Sequence, residues 1–159
     1  MKLFLDTEFN EFCGELISMA LVSEDGREWY EVAEIPNLIG EWVAANVMPY
    51  LGKEPIGQLA FMHSLGAFIK DFDGCEIIAD WPADFEHFCG VLSALGAEDG
   101  WTLPISCTMR LQHSGELSPS IPHNALSDAI ALRDWYMAHD KAVVSVPKAL
   151  LADVLDVSR

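Results

Sequence analysis

The segment LFLDTEFN, residues 3–10, constrains the fold of this chain more than any other. Three apolar residues lead directly into Asp6, Thr7 and Glu8, which predicts a buried strand over residues 2–6 that ends in charge. Side chains alternate between the two faces of a strand, so Asp6 and Glu8 point to the same side. Two carboxylates beside a core repel each other and lose solvation. We therefore expect a cation between them.

The remaining patterns predict one mixed α/β domain that spans residues 1–159. Strand-like runs occupy residues 2–6, 15–23, 28–34, 75–81 and 103–106. Helical patterns occupy residues 37–51, 55–72, 84–97 and 123–140, and a last short one lies near residues 147–155. The Asp25–Gly26 pair predicts a hairpin, so the chain should open with an antiparallel meander. Three strands followed by alternating helices and strands indicate a mixed sheet flanked by helices.

The charge of the chain argues against non-specific binding to phosphates. Nine Lys and Arg residues stand against 25 Asp and Glu residues, which gives a net charge of −16. A chain this acidic lacks the basic surface that such binding requires. Nucleic acid stays a candidate partner only if carboxylates hold divalent cations that meet the phosphate.

The N-terminus and the cysteines indicate a cytoplasmic protein. No apolar run is long enough to span a membrane, and MKLFLDTEF lacks the pattern of a signal peptide. The four cysteines form no CxxC pair, so the sequence offers no zinc site, and we expect buried thiols. They are Cys13, Cys75, Cys89 and Cys107.

Two further segments place carboxylates where strands end or helices begin. Asp84 follows the strand in EIIAD, and Asp128 lies in the first turns of the last long helix. Together with Asp6 and Glu8 they could bind two Mg²⁺ or Mn²⁺ ions, which prefer oxygen ligands. Two ions about 3.5–4 Å apart can clamp the attacking and leaving oxygens of a phosphoryl displacement.

His123 is a candidate general base. It precedes Asp128 by five residues, a spacing that does not put both side chains on one face of a helix. We therefore expect His123 on the approach loop, with Asn124 capping the helix. An unperturbed histidine has a pKa of about 6.5, which suits proton transfer near neutral pH.

Four other residues are weaker candidates for substrate binding: Phe9, Thr7, Trp81 and Arg110. Phe9 or Trp81 could stack on a nucleobase, and core packing explains either equally well. Arg110 could bind a phosphate or the 3′ end, and a structural ion pair is an equal alternative.

LDTEF and HNALSDAIAL resemble the first and third motifs of the DEDDh 3′-5′ exonuclease superfamily. The resemblance implies an RNase H-like fold and the removal of nucleotides from a 3′ end by two divalent metals. It implies metal binding by Asp6, Glu8, Asp84 and Asp128, and a base role for His123. The middle segment, ADWPADFEHF, departs from the usual spacing, so Asp80 and Glu86 remain alternatives to Asp84.

The DTEF opening, the following ELIS and the hairpin EDGREWY resemble the mycobacterial-type 3′-5′ exoribonuclease group most. This resemblance implies trimming of RNA, adenylate-rich ends included, and a homodimer. Without a basic stripe, a single-stranded RNA end is favoured over long DNA. The alternatives are a catalytically silent binding module of the same fold, a DNA-directed 3′-5′ exonuclease, and a phosphoesterase for small nucleotides.

Overall fold

A five-stranded mixed sheet forms the centre of this computed structural model, with strand order β3-β2-β1-β4-β5. The structure describes residues 1–11, 14–98, 100, 102 and 104–143, and for 140–143 it describes the helical backbone alone. The strands are β1 (Lys2–Phe9), β2 (Leu16–Ser23), β3 (Glu28–Val32), β4 (Cys75–Ala79) and β5 (Cys107–Leu111). β1, β2 and β3 are antiparallel neighbours, whereas β1, β4 and β5 run parallel. This confirms the predicted α/β fold, which is consistent with an RNase H-like sheet.

The predicted hairpin joins β2 to β3. Gly26 lies at the turn with φ +92°, a conformation that favours glycine, and its N–H donates to the carbonyl of Ser23 at 2.9 Å. Near the start of β2, the pairing of β1 with β2 shifts register between Glu8 and Phe9, which forms a β-bulge in β1. Such bulges redirect side chains, and this one lies directly beside the predicted carboxylates.

Within the part of the chain that the structure describes, four α-helices flank the sheet: α1 (Glu41–Asn46), α2 (Gln58–Ile69), α3 (Pro82–Glu98) and α4 (Ala125–Val143). The helix predicted at 37–51 is wrong in length, because α1 has six residues and a 3₁₀ turn follows at Met48–Tyr50. Pro49 lacks the N–H that a continuing helix needs. α3 begins two residues earlier than predicted, with Pro82 in the first helical position, where proline is well tolerated.

The strand predicted at 103–106 is also wrong at residues 104–106, the part that the structure describes, because the strand in this region is β5 at Cys107–Leu111. Pro104 cannot donate to a sheet, and pairing with β4 starts only at Cys75 with Cys107. The predicted helix near 147–155 lies outside the described residues. Of the cysteines, Cys75 is buried as predicted, whereas Cys89 and Cys107 are only half-buried; all three are free thiols, and Cys13 lies outside the described residues.

The two faces of the sheet are covered differently. α2 and α3 cover the face to which β1 contributes Leu3 and Leu5, and this is the larger core. α4 covers the opposite face, where Phe4 packs against Leu132 and Tyr136. Nearer its start, α4 packs through alanines, which allow a close approach to β2; the buried residues there are Ala20, Val22, Ala125 and Ala129. The first turn of α4 is thereby held close to the end of β1.

Among the described residues, no helix combines the length and the apolar character that crossing a bilayer requires.

Candidate active site

Five carboxylates meet at the edge of the sheet where the parallel strands β1 and β4 end. They form two groups that share Asp6, and within each group one oxygen per residue lies within 4.8 Å of the others. The Asp128 group consists of Asp6, Glu8 and Asp128, and the Asp84 group consists of Asp6, Asp80 and Asp84. The structure thus brings together all four predicted carboxylates. Of the two alternatives to Asp84, Asp80 joins the cluster.

Glu86, the other alternative, belongs to neither group. Its side chain lies on the exposed side of α3, two residues beyond Asp84.

Asp84 is held rigidly from β1. It is 2% exposed, and its Oδ1 accepts hydrogen bonds from the Thr7 backbone N–H at 3.1 Å and from the Thr7 hydroxyl at 2.7 Å. Its other oxygen, Oδ2, is buried without a hydrogen-bond partner among the described residues. Thr7, which was predicted to bind substrate, is itself buried, and its hydroxyl donates a hydrogen bond to Asp84. The structure thus shows Thr7 positioning a carboxylate.

Asp128 is fixed by the start of α4. Asn124 caps this helix as predicted, because its Oδ1 accepts a hydrogen bond from the Ser127 N–H at 3.1 Å. The N–H of Asn124 in turn donates to Asp128 Oδ2 at 3.1 Å. The Asn124 side chain also donates to the carbonyl of Tyr50 at 2.8 Å, which ties the cap to the segment after α1.

His123 lies on the loop just before this cap, as predicted. Its φ of +60° is uncommon outside glycine, although histidine adopts it more often than most residues do. The imidazole is exposed, and the indole of Trp42 meets it edge-on with ring centroids 4.9 Å apart. No sequence pattern singles out Trp42, because only the docking of α1 beside the α4 cap brings the two rings together.

The electrostatics of the cluster favour a bound cation. Burial, with the charges of Asp84 and Glu8, raises the pKa of Asp6 well above its usual value. Burial and the charge of Asp128 raise the pKa of Glu8 to about 8. Burial raises the pKa of Asp84 to about 7 and that of Asp128 to about 6, although hydrogen bonds oppose both shifts. Divalent cations would relieve this repulsion.

The donor set fits Mg²⁺ or Mn²⁺. All donors are carboxylate oxygens, which these hard cations prefer. The unpartnered Oδ2 of Asp84 is a buried acceptor of the kind that a cation satisfies.

The other predicted substrate-binding residues lie around the cluster. Phe9 is half-buried and contacts the ring of His87, with centroids 5.1 Å apart. Trp81 is 56% exposed at the start of α3. Arg110 makes the structural ion pair, with Glu76 at 2.9 Å, and also donates to the Tyr136 hydroxyl. Substrate binding by Thr7, Phe9, Trp81 and Arg110 stays a prediction.

A groove of about 800 Å³ opens on the α2 and α3 side of the sheet. His87 lines it, so the contact between Phe9 and His87 lies at its edge. Its floor is largely apolar and includes Phe61, Met62 and Val91. Its rim carries glutamates, and no Lys or Arg occurs among the described residues that line it. The groove suits a ring better than a phosphate.

Comparison with models of known protein families finds no match. Two curated relatives, each named 3′-5′ exoribonuclease, come from Mycobacterium tuberculosis strains CDC 1551 / Oshkosh and ATCC 25618 / H37Rv. Each is 46% identical to this chain over 90 residues, which cover 51% of this chain and 52% of the relative. The chain therefore spans about half the length of the curated relatives it matches.

Proposed function

We propose that this chain is a divalent-metal-dependent 3′-5′ exonuclease that releases nucleoside 5′-monophosphates from single-stranded RNA ends. The observation that carries the proposal is the meeting of Asp6, Glu8, Asp84 and Asp128 at one sheet edge, with an exposed His123 close to Asp128. The printed name of the two relatives supports the direction of cleavage and the RNA substrate.

The carboxylates would hold two Mg²⁺ or Mn²⁺ ions. When bound, such ions would neutralise the cluster and stabilise the charge that develops on the phosphate. Asp6 belongs to both groups and would contact both ions. Glu8 and Asp128 would complete one ligand set, and Asp84 would belong to the other, held in place by Thr7.

His123 would act as the general base. Its exposed position on the loop before α4 lets the imidazole reach an attacking water without first leaving a packed core. It would accept the proton from that water as the water attacks the last phosphodiester in line. Asp128 lies in the turn that follows, so one short segment would position both the base and a metal ligand.

The substrate would be bound through its terminal base and through the ions. The acidic surroundings repel a phosphate that lacks a counter-ion. Phe9, at the edge of the groove, would stack on the terminal base, and the glutamates of the rim would keep the phosphates outside it. Short single-stranded ends therefore fit this site better than a duplex. The single domain, homodimer and cytoplasmic location stay predictions.

A time course on a 5′-labelled single-stranded RNA and a matching DNA, with Mg²⁺, Mn²⁺ or EDTA, tests the proposal. We expect an RNA ladder that shortens from the 3′ end and disappears with EDTA and in Asp6→Asn. Faster loss of the DNA would indicate the DNA-directed alternative. No cleavage with either metal would contradict the proposal and favour the silent binding module.

A further inference from the structure

We propose that Asp80 is a metal ligand together with Asp84, so that five carboxylates, and not four, hold the two cations. The inference rests on the proposed function, because it concerns the same centre. The sequence presents Asp80 and Asp84 as alternatives for one role. The geometry points to two roles, because both side chains reach Asp6 at once.

The topology of the sheet places Asp80 in the cluster. β4 ends at Ala79, and it pairs in parallel with β1. The carboxyl ends of parallel neighbours lie at the same edge, so Asp80 emerges beside Asp6. Asp84 reaches the same place four residues later, from the first turn of α3. Asp6, Asp80 and Asp84 each offer an oxygen within 4.8 Å of the other two.

The buried oxygen of Asp84 shows that this group lacks a positive partner. Asp84 is 2% exposed, its Oδ1 is occupied by both donors of Thr7, and its Oδ2 is buried without a partner among the described residues. None of the ion pairs of the described residues involves Asp80 or Asp84. An unsatisfied buried carboxylate oxygen costs free energy, which a cation in contact with it would remove.

Asp80 is oriented as metal-binding carboxylates usually are. The hydroxyl of Ser114, a buried residue, donates to Asp80 Oδ2 at 2.7 Å and leaves Oδ1 available. Hydrogen bonds to the outer oxygen fix such ligands in proteins. Thr7 does the same for Asp84, so each of these two carboxylates has one oxygen bound by the protein and one left for an ion.

The two carboxylate groups then separate the two cations. Asp80 and Asp84 would hold one ion, Glu8 and Asp128 would hold the other, and only Asp6 would contact both. Loss of Asp80 should therefore weaken the binding of one ion and leave the binding of the other unchanged. If Asp80 served only folding, its loss would leave the affinities of both ion sites unchanged in the folded protein.

Titration of the full chain with Mn²⁺, followed by calorimetry and by the electron paramagnetic resonance of free Mn²⁺, tests the assignment without RNA. We expect two Mn²⁺ per chain. In Asp80→Asn, one site should weaken by about 10- to 100-fold or more, the range seen when partners of metal ligands are removed. Ser114→Ala should weaken the same site by less. Asp71→Asn removes an exposed carboxylate from the 3₁₀ turn before β4 and serves as the charge-matched control.

Two sites of unchanged affinity in Asp80→Asn would overturn the assignment, as would the absence of Mn²⁺ binding by the unaltered chain. If Asp80→Asn fails to fold, Ser114→Ala decides, because it keeps all five carboxylates. Mn²⁺ binding that depends on Asp80 without any RNA cleavage would support Asp80 and contradict the exonuclease. RNA cleavage together with Mn²⁺ binding that does not depend on Asp80 would support the exonuclease and contradict the assignment of Asp80.

Discussion

The two carboxylate groups that share Asp6 differ in how the protein holds them. In the Asp84 group, Thr7 and Ser114 each donate a hydrogen bond to a carboxylate, and Asp84 is almost fully buried. In the Asp128 group, Asp128 also accepts a hydrogen bond, from the Asn124 backbone N–H, but all three carboxylates are half-buried and Asp128 lies beside the exposed His123. The first arrangement suits a permanently held ion. The second suits the side from which water and substrate arrive.

The alternation of β1 produces this difference. Thr7 points to the face covered by α2 and α3, where it meets Asp84 at the start of α3. Asp6 and Glu8 point to the face covered by α4, where they meet Asp128. The three consecutive residues of DTE thus connect helices that lie on opposite faces of the sheet. A one-residue shift of β1 against its neighbours would exchange these contacts and destroy both groups.

Asp6→Asn should have the largest effect, because Asp6 is a member of both carboxylate groups. We expect the loss of RNA cleavage to exceed the roughly 10²- to 10⁴-fold that removal of a general base costs. Asparagine has the same shape without the charge, so the metal-free protein should melt no lower than the unaltered one. Asp71→Asn is the control. If Asp6→Asn cleaves RNA at the rate of the unaltered chain, the carboxylate cluster takes no part in the reaction.

His123→Ala tests whether proton transfer by His123 can be lost while the Asp128 group still binds its cation. We expect kcat to fall by roughly 10²- to 10⁴-fold, the usual contribution of proton transfer, while both Mn²⁺ sites keep their affinity. Steady-state cleavage at saturating RNA and Mn²⁺ titration of the same preparation measure the two quantities. Unchanged turnover would exclude the histidine as base, and loss of a Mn²⁺ site would make it a ligand.

The sequence predicted best those features that depend on local patterns. The apolar run into Asp6, the Asp25–Gly26 turn and the capping of α4 by Asn124 are local signals, and the structure confirms them. The strand predicted at 103–106 is wrong and the helix predicted at 37–51 is too long, because apolar residues near Pro104 and Pro49 imitate the periodic patterns of strands and helices. Proline interrupts the hydrogen bonds of both structures, whatever its neighbours are.

Within the site, the sequence could place carboxylates at strand ends and helix starts, and it favoured Asp84 over the alternatives Asp80 and Glu86. It could not predict that Asp80 and Asp84 both lie close to Asp6, because that proximity is a tertiary fact. The role of Ser114 and the contact between Trp42 and His123 are likewise long-range. No local pattern encodes them, because each joins segments far apart in the chain.

Thr7→Val tests the rigid side of the comparison. Valine keeps the shape and the backbone N–H but removes the hydroxyl that donates to Asp84 Oδ1. We expect a loss of about 10- to 100-fold in the affinity of one Mn²⁺ site, the usual cost of losing such a partner. Thr7→Ser, which keeps the hydroxyl, should bind Mn²⁺ nearly as the unaltered chain does. Equal losses in both variants would assign the effect to packing.

The stability of the metal-free protein should fall as pH rises from about 5 to 8. Burial holds the pKa values of Asp128, Asp84 and Glu8 at about 6, 7 and 8 in the folded state, whereas in unfolded chains such groups titrate near about 4. Between these limits the folded state binds more protons, so the free energy of unfolding decreases with pH.

Thermal melts in EDTA and in saturating Mn²⁺ measure this dependence. Mn²⁺ should reduce the fall or reverse it, because a bound cation favours the ionised carboxylates. Glu8→Gln should lessen the fall in EDTA, since it removes the group with the highest of these three pKa values. A melting temperature in EDTA that rises over this range would contradict the repulsion on which the cation site is argued.

Trp42→Ala should have the smallest effect and tests the open side of the comparison. Edge-to-face aromatic pairs contribute about 0.5–1.5 kcal/mol, and an exposed pair belongs at the lower end, so we expect kcat to fall by about two- to fivefold. Trp42→Phe should retain most of the activity, and Mn²⁺ affinity should not change.

The double variant that combines Trp42→Ala with His123→Ala decides how Trp42 acts. If it works by orienting His123, Trp42→Ala should cost nothing further in a His123→Ala background. The same loss in both backgrounds would mean that the indole acts on the substrate directly, and His123 would then keep its position through the backbone of the α4 cap alone.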